Sequence, residues 1–210
     1  MDITRDLLGS SPSADSITRY LETIVQHASI TDVLVPEVKV YPDMVYFNYH
    51  KLGISLQFSP RQGYKPTFGL KREQLKDDCL SLEGIDVYNS NVKPGTLNQP
   101  AFSPFPLLPL RIPLETSPGN SRGSRPSTIS IAANTTGKEF VSWLGEPSRK
   151  GGGAGPLSGS INIWCEWSED GLMVEFGGEE SRGPQAWERG KDAVWRVVTV
   201  FPPTNKGYAS

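Results

Sequence analysis

The sequence predicts an α+β fold: two tandem helix–β-hairpin–strand repeats forming a mainly antiparallel sheet, with helices packed on one face. Three observations carry this expectation. A helical spacing of apolar residues opens the chain, strands of alternating character follow it, and both patterns return 118 positions later.

Residues 1–14 hold the run Gly9-Ser-Ser-Pro-Ser13 and are expected to be a loose N-terminus. Asp15 or Ser16 can cap a helix whose Ile17, Tyr20, Leu21, Ile24 and Val25 share one face. Val38–Tyr41 reads as extended. In Val45–Phe58, Val45, Phe47 and Tyr49 fall on one side of a strand, with Tyr46, Asn48 and His50 on the other. Lys51-Leu-Gly53 reads as a turn, because glycine accepts the positive φ that a tight hairpin needs. Ile54, Leu56 and Phe58 then alternate with Ser55 and Gln57, and Gly84–Tyr88 adds a third β-prone run.

Ile163–Phe176 aligns with Val45–Phe58 without a gap, Trp164 matching Tyr46, Trp167 matching Tyr49 and Gly171 matching Gly53. Thr136 can cap a helix bearing Phe140, Val141 and Leu144, and Ala193–Phe201 supplies the last strand. The expected organisation is therefore repeat unit 1 over 15–93, repeat unit 2 over 128–203 and a tail over 204–210. Residues 94–127 join the two units. They include eight prolines between Pro94 and Pro126, too many for a regular helix or a central strand. The apolar first half, Phe102–Leu114, is expected to cross the sheet as an extended strap, and the polar second half, Ser117–Ser127, to be flexible.

Bulk properties narrow the function classes. The net charge of −2, from 21 basic and 23 acidic residues, offers no basic surplus for binding nucleic acid. No apolar run approaches the roughly 20 residues of a transmembrane helix, and the start lacks the pattern of a secretory signal. A cytoplasmic protein is expected, with the nucleus left open. Two cysteines and two histidines provide no close-spaced metal-binding pair, and no Gly-x-Ser-x-Gly elbow is present. No catalytic residue, metal ligand or cofactor is assigned. Cys79 and Cys165 read as buried free thiols, His50 as a surface residue, and the acidic residues around the second hairpin as solvated charges.

Three features are candidate binding sites. Gly145–Pro156 is Gly-rich with Arg149 and Lys150 at its centre, followed by Gly151 and Gly152. Backbone amides unscreened by Cβ atoms, together with two cations, can cup an anion. The segment runs from helix to strand, the reverse of a phosphate loop, so it reads either as a linker or as a binding loop. Pro106, Pro109 and Arg111 carry the spacing that a proline-binding SH3 groove accepts, although the interspersed leucines equally suit packing on a core. Tyr46 and Trp164 mark an aromatic sheet face opposite the core-facing Phe47 and Cys165, and such residues favour interfaces.

The run Tyr46–Phe58 resembles the aromatic-Asn-Tyr-x-x-Leu-Gly-apolar stretch of the phagophore assembly factor family. Phe140–Pro147 resembles its helix–Leu-Gly-x-Pro entry. The same elements are similar to β-lactamase-inhibitor-like helix–hairpin repeats and to outer-membrane assembly lipoprotein modules. The runs Leu144–Lys150 and Trp167–Leu172 resemble those of an uncharacterised fungal protein family. The resemblance implies a helix-plus-sheet repeat used to bind proteins or membranes, with no catalytic residue to transfer. The chain departs from the phagophore family in its shorter length and its proline-rich insert. The leading functional expectation is a non-enzymatic adaptor that binds another protein through the aromatic face and the Gly-rich basic loop. The alternative is a small-molecule or anion-binding protein, with that loop as a lid.

Overall fold

Tyr20, Leu21 and Ile24 follow Ile17 at helical spacing, and burying them needs a packed surface. The computed structural model describes residues 5–30, 35–89, 102–114, 125–155 and 158–204, and side chains 154–161 are left undescribed. The fold class is α+β with mainly antiparallel strands. The chain divides into two compact units, one centred on residues 4–107 and the other on residues 108–199.

In the N-terminal unit, α1 (Asp15–Ala28) buries all four of those residues. Its N-cap is Ala14, one residue ahead of the expected Asp15 or Ser16, because the Ile17 and Thr18 amides already donate to the Ala14 carbonyl. Asp15 then sits in the first turn, where its charge opposes the positive end of the helix dipole. Residues 5–14 are less loose than expected. Leu7 is buried, the Gly9 amide donates to the Leu82 carbonyl at 2.8 Å, and the Leu82 amide donates to Ser10 at 2.9 Å.

Four antiparallel strands follow in the order β1 (Glu37–Val40), β2 (Val45–Tyr49), β3 (Ile54–Pro60) and β4 (Leu80–Tyr88). Val45, Phe47 and Tyr49 are buried on one face as their alternation predicts, and Phe47 meets Phe58 with ring centres 5.0 Å apart. On the other face, Glu37, Asn48, Ser55 and Asp86 align directly across the four strands. Ser55 Oγ donates to Asn48 Oδ1 at 2.7 Å, satisfying two buried polar groups together.

The hairpin turn begins one residue earlier than expected. His50–Leu52 forms a 3-10 turn, and Gly53 closes it at φ 63°. His50 is not a free surface residue: its Nε2 lies 2.7 Å from Glu37 Oε2, and its ring packs 4.3 Å from that of Phe102. The strap passes here. Phe102 stacks on Tyr88 at 3.7 Å, and the Ser103 and Phe105 amides donate to the carbonyls of His50 and Tyr88. A Cβ on Gly53 would overlap the Ser103 carbonyl oxygen and stand 2.8 Å from the Phe105 nitrogen. Glycine is required at position 53 both by its φ and by the strap.

In the C-terminal unit, β5 (Leu110–Pro113) and β6 (Thr128–Ile131) form a two-stranded antiparallel sheet. This pairing takes the second part of the strap into a strand, which was not expected of so proline-rich a stretch. It is possible because Pro113 ends β5, and because Leu110 and Ile112 alternate inward while Arg111 and Pro113 face out. Ser117–Ser127 falls largely outside the described residues. α2 (Gly137–Leu144) starts at the expected Thr136, whose amide and hydroxyl both donate to Glu139 at 2.8 Å. The strands β7 (Arg149–Gly155), β8 (Ser158–Trp167), β9 (Leu172–Phe176) and β10 (Trp195–Val200) lie in the order β10-β9-β8-β7, and α3 (Ala186–Arg189) precedes the last. The β8–β9 turn, Ser168–Asp170 closed by Gly171 at φ 56°, has the same form as the turn at His50–Gly53. Phe140 of α2 anchors the core against Trp167 and Phe176 at about 6 Å, while the Trp167 and Trp195 indoles donate to the Gly145 and Ala132 carbonyls.

Two outcomes are expected. Gly53→Ala will lower unfolding stability by about 2–4 kcal/mol in urea titration, combining the positive-φ penalty with overpacking against backbone. The Glu37 carboxyl is held below its ordinary value first by the His50 hydrogen bond. Its contribution to stability is therefore present at neutral pH and is lost as pH falls through that lowered value. In His50→Ala, an NMR titration will show the Glu37 pKa returning towards the ordinary glutamate value.

Candidate functional site

The strongest candidate is a cleft of about 300 Å³ in the C-terminal unit. Two helical segments and three strands build it, β9 through Phe176. α2 contributes Gly137, Lys138 and Val141, and the following residues contribute Glu146 and Pro147. β7 and β8 contribute Lys150, Ile163 and Cys165. The α3 segment supplies Trp187, Gly190 and Lys191.

The geometry follows from close backbone approach. The Gly137 and Lys138 amides donate to the Ala193 and Lys191 carbonyls at 3.0 and 2.9 Å, which ties the start of α2 to the segment after α3. A Cβ on Gly137 would overlap the Gly190 carbonyl oxygen, so only glycine allows this approach. Phe140 and Leu144 turn into the core, whereas Val141, expected on the same apolar face, is 39% exposed and lines the cleft. Ile163, Cys165 and Phe176 form a buried apolar floor. Trp187 is 43% exposed, with the Lys150 ammonium 5.5 Å from its ring centre.

The rim is cationic. Among the described residues, Lys138, Lys150 and Lys191 line it against one carboxylate, Glu146. Lys138 lies 3.9 Å from Asp192. Among the described residues, Lys150 and Lys191 have no carboxylate at ion-pair distance. Burial pushes the Cys165 thiol up to about 11, outweighing the lowering effect of Lys150. This thiol packs as a small apolar group at neutral pH and is a poor nucleophile. Among the described residues, no group of three or more His, Cys, Asp or Glu is placed to hold a metal ion.

The structure rearranges the residues singled out from sequence. Gly145–Pro156 is not the expected basic loop or lid, because Arg149–Gly155 is an outermost strand. In β7, Arg149 pairs with Glu166, Lys150 with Cys165 and Gly151 with Trp164. Side chains alternate along a strand, so the two cations diverge and do not converge on one anion. Lys150 reaches the cleft, while Arg149 reaches Glu166 at 3.4 Å. Gly151 makes room for the Trp164 ring, which a Cβ would approach to 2.6 Å, and a Cβ on Gly152 would overlap the Asn162 carbonyl oxygen. Both glycines are required by strand packing.

Trp164 is half-buried on the face away from the cleft, beside Gly151 and opposite Glu175. Tyr46 belongs to the other unit and sits near Tyr41, whose ring is in turn 6.2 Å from that of the exposed Phe68. Pro106, Pro109 and Arg111 are exposed, but Phe105, Leu107 and Leu110 between and beside them are buried, and Arg111 is held in β5. Packing accounts for the apolar residues of that run. The acidic residues of the second hairpin are partly paired: Glu175 accepts from Asn162 and Arg196 at 3.0 and 3.1 Å, and Asp170 pairs with Arg125. Lys138, Lys191 and Trp187 were missed from sequence, because no local spacing joins residues 138, 150, 187 and 191. No helix among the described residues is long and apolar enough to cross a membrane.

Comparisons with family models, curated proteins and solved structures give no match for this chain. The likeness to phagophore assembly factors rests on the short runs alone.

Thiol labelling tests the cleft floor. At pH 8 a thiol titrating near 11 is about 0.1% thiolate. Half-buried Cys79 will therefore react with a maleimide first. The Cys165 rate will rise about tenfold per pH unit up to pH 10, and equal labelling of both thiols at pH 8 contradicts the description of the floor.

Proposed function

We propose that this chain is a non-enzymatic adaptor that binds another protein through the cleft of its C-terminal unit. One observation carries the reading: an apolar floor of Ile163, Cys165 and Phe176 opens beneath a rim of three lysines, with a half-exposed Trp187 at its side. The apolar area still open to a partner is that of Val141 and Trp187; removing it from water supplies affinity, and exposed tryptophan is the residue type richest in interface energy. The lysines attract an acidic partner and orient it. The aromatic patch of Tyr41, Tyr46 and Phe68 on the other unit offers a separate contact surface of the same type.

The cleft volume supports a second reading, a small amphipathic anion as ligand. About 300 Å³ lies at the lower end of small-molecule sites, which span about 300–1,000 Å³. An apolar tail on the floor and an anionic head at the lysines satisfy the same chemistry.

Lysine-directed crosslinking in native extract, read by mass spectrometry, tests the adaptor. Crosslinks to a captured protein are expected to concentrate on Lys138, Lys150 and Lys191. Capture through Lys138 is expected to disappear in Lys150→Glu/Lys191→Glu at unchanged Tm, since both side chains are exposed. Crosslinks spread evenly over the surface lysines, or capture through Lys138 that survives the double substitution, would refute the reading.

A further inference from the structure

We propose that the partner presents an extended acidic peptide, which adds as a new strand to the outer edge of β7 and sets one apolar side chain into the cleft. The inference rests on the cleft being a protein-binding site, and goes on to name the partner's chemistry and backbone conformation.

Four observations converge on it. First, among the described residues β7 is the outermost strand of its array, and β8 is its neighbour on the other side. An outer strand offers amides and carbonyls to an incoming chain, and strand addition is a recurrent mode of peptide recognition. Second, Arg149–Gly151 keeps an unbroken register with Glu166–Trp164, and the shifts begin only beyond Gly151. The edge is therefore regular beside the cleft and irregular farther on. Bulges and basic side chains also guard edges against pairing. Guarding alone does not explain an apolar-lined cleft with half-exposed Val141 and Trp187 next to the regular part.

Third, the strand period places the anchor. Lys150 and its register partner Cys165 both line the cleft, so an added strand has alternate residues on that side, about 7 Å apart. Because β7 separates the added strand from Ile163 and Cys165 by about 10 Å, a long apolar side chain at one such position leans across Lys150 into the cleft, and its neighbours two positions away flank it along the rim. Fourth, among the described residues that rim holds Lys138, Lys150 and Lys191 against Glu146, with Asp192 3.9 Å from Lys138. The complementary motif is acidic-x-apolar-x-acidic. A second copy of the chain is a poor occupant, because a two-fold contact through this face would bring like lysines together.

The test is panning of a phage-displayed random dodecamer library on the full chain, with counter-selection on Lys150→Glu/Lys191→Glu. Enriched sequences are expected to share acidic-x-apolar-x-acidic. The winning synthetic peptide should bind at least tenfold more weakly to the double variant, and serine at the anchor should abolish binding. Hydrogen exchange should slow at the amides of Arg149–Gly151 that point away from β8 when the peptide binds.

A winner that binds without slowing exchange in β7 overturns strand addition. Basic winners, or no enrichment at all, overturn the peptide. If crosslinks through Lys138 still capture a protein in that case, the adaptor reading survives with a folded partner surface. If decanoate raises the Tm of the wild type alone and no protein is captured, the small-anion reading replaces both.

Discussion

One turn conformation sets the register of each central hairpin. His50–Leu52 and Ser168–Asp170 each make a single 3-10 turn, and Gly53 and Gly171 each complete it in the left-handed region. That geometry places Tyr49 opposite Ile54 and Trp167 opposite Leu172. A slip of one residue would turn every inward side chain of a strand to the outer face. In the N-terminal unit, Val45, Phe47 and Tyr49 would leave the core and Asn48 and Ser55 would lose their alignment. In the C-terminal unit, Cys165 would leave the cleft floor. The core, the polar row and the cleft all depend on this register.

The cleft follows from the size of its cover. Eight residues make α2 about 12 Å long, and its Phe140 covers the Trp167 end of β8. Ile163 and Cys165 lie further back along that strand, towards the segment bearing Trp187 and Gly190. Gly137 and Gly190 bring the two covering segments together at one point, and an opening remains beside it. Val141 marks the boundary: it shares the apolar character of Phe140 and Leu144 yet lines the gap.

The cationic character of the cleft is local. The whole chain carries a net charge of −2, which says little about a patch, since screening limits the reach of exposed charges to about 8 Å at physiological salt. Strand alternation separates Arg149 from Lys150 and gives Arg149 to Glu166. Lys150 is instead joined by Lys138 from a helix and Lys191 from a loop. A basic dipeptide in the sequence thus becomes one half of an ion pair and one third of a cationic rim.

Much of the local structure was legible. The spacing of Ile17, Tyr20, Leu21 and Ile24 marked α1, the alternation over Val45–Phe58 marked its strands and their inner face, and Thr136 marked the start of α2. These depend on periods of 3.6 and 2 residues, which a sequence states directly. Gly151 and Gly152 misled, because glycines that read as a loop are also what a strand needs when the Trp164 ring and the Asn162 carbonyl press against it. His50 misled because its partners, Glu37 and Phe102, lie 13 and 52 positions away. The sequence by itself determined α1, α2 and the two central hairpins, with their inward faces and the glycines at their turns, since each depends on neighbours along the chain. Only the tertiary structure decided that Lys138, Lys150, Trp187 and Lys191 surround one cleft, because that grouping depends on how separate segments pack and no local pattern encodes it.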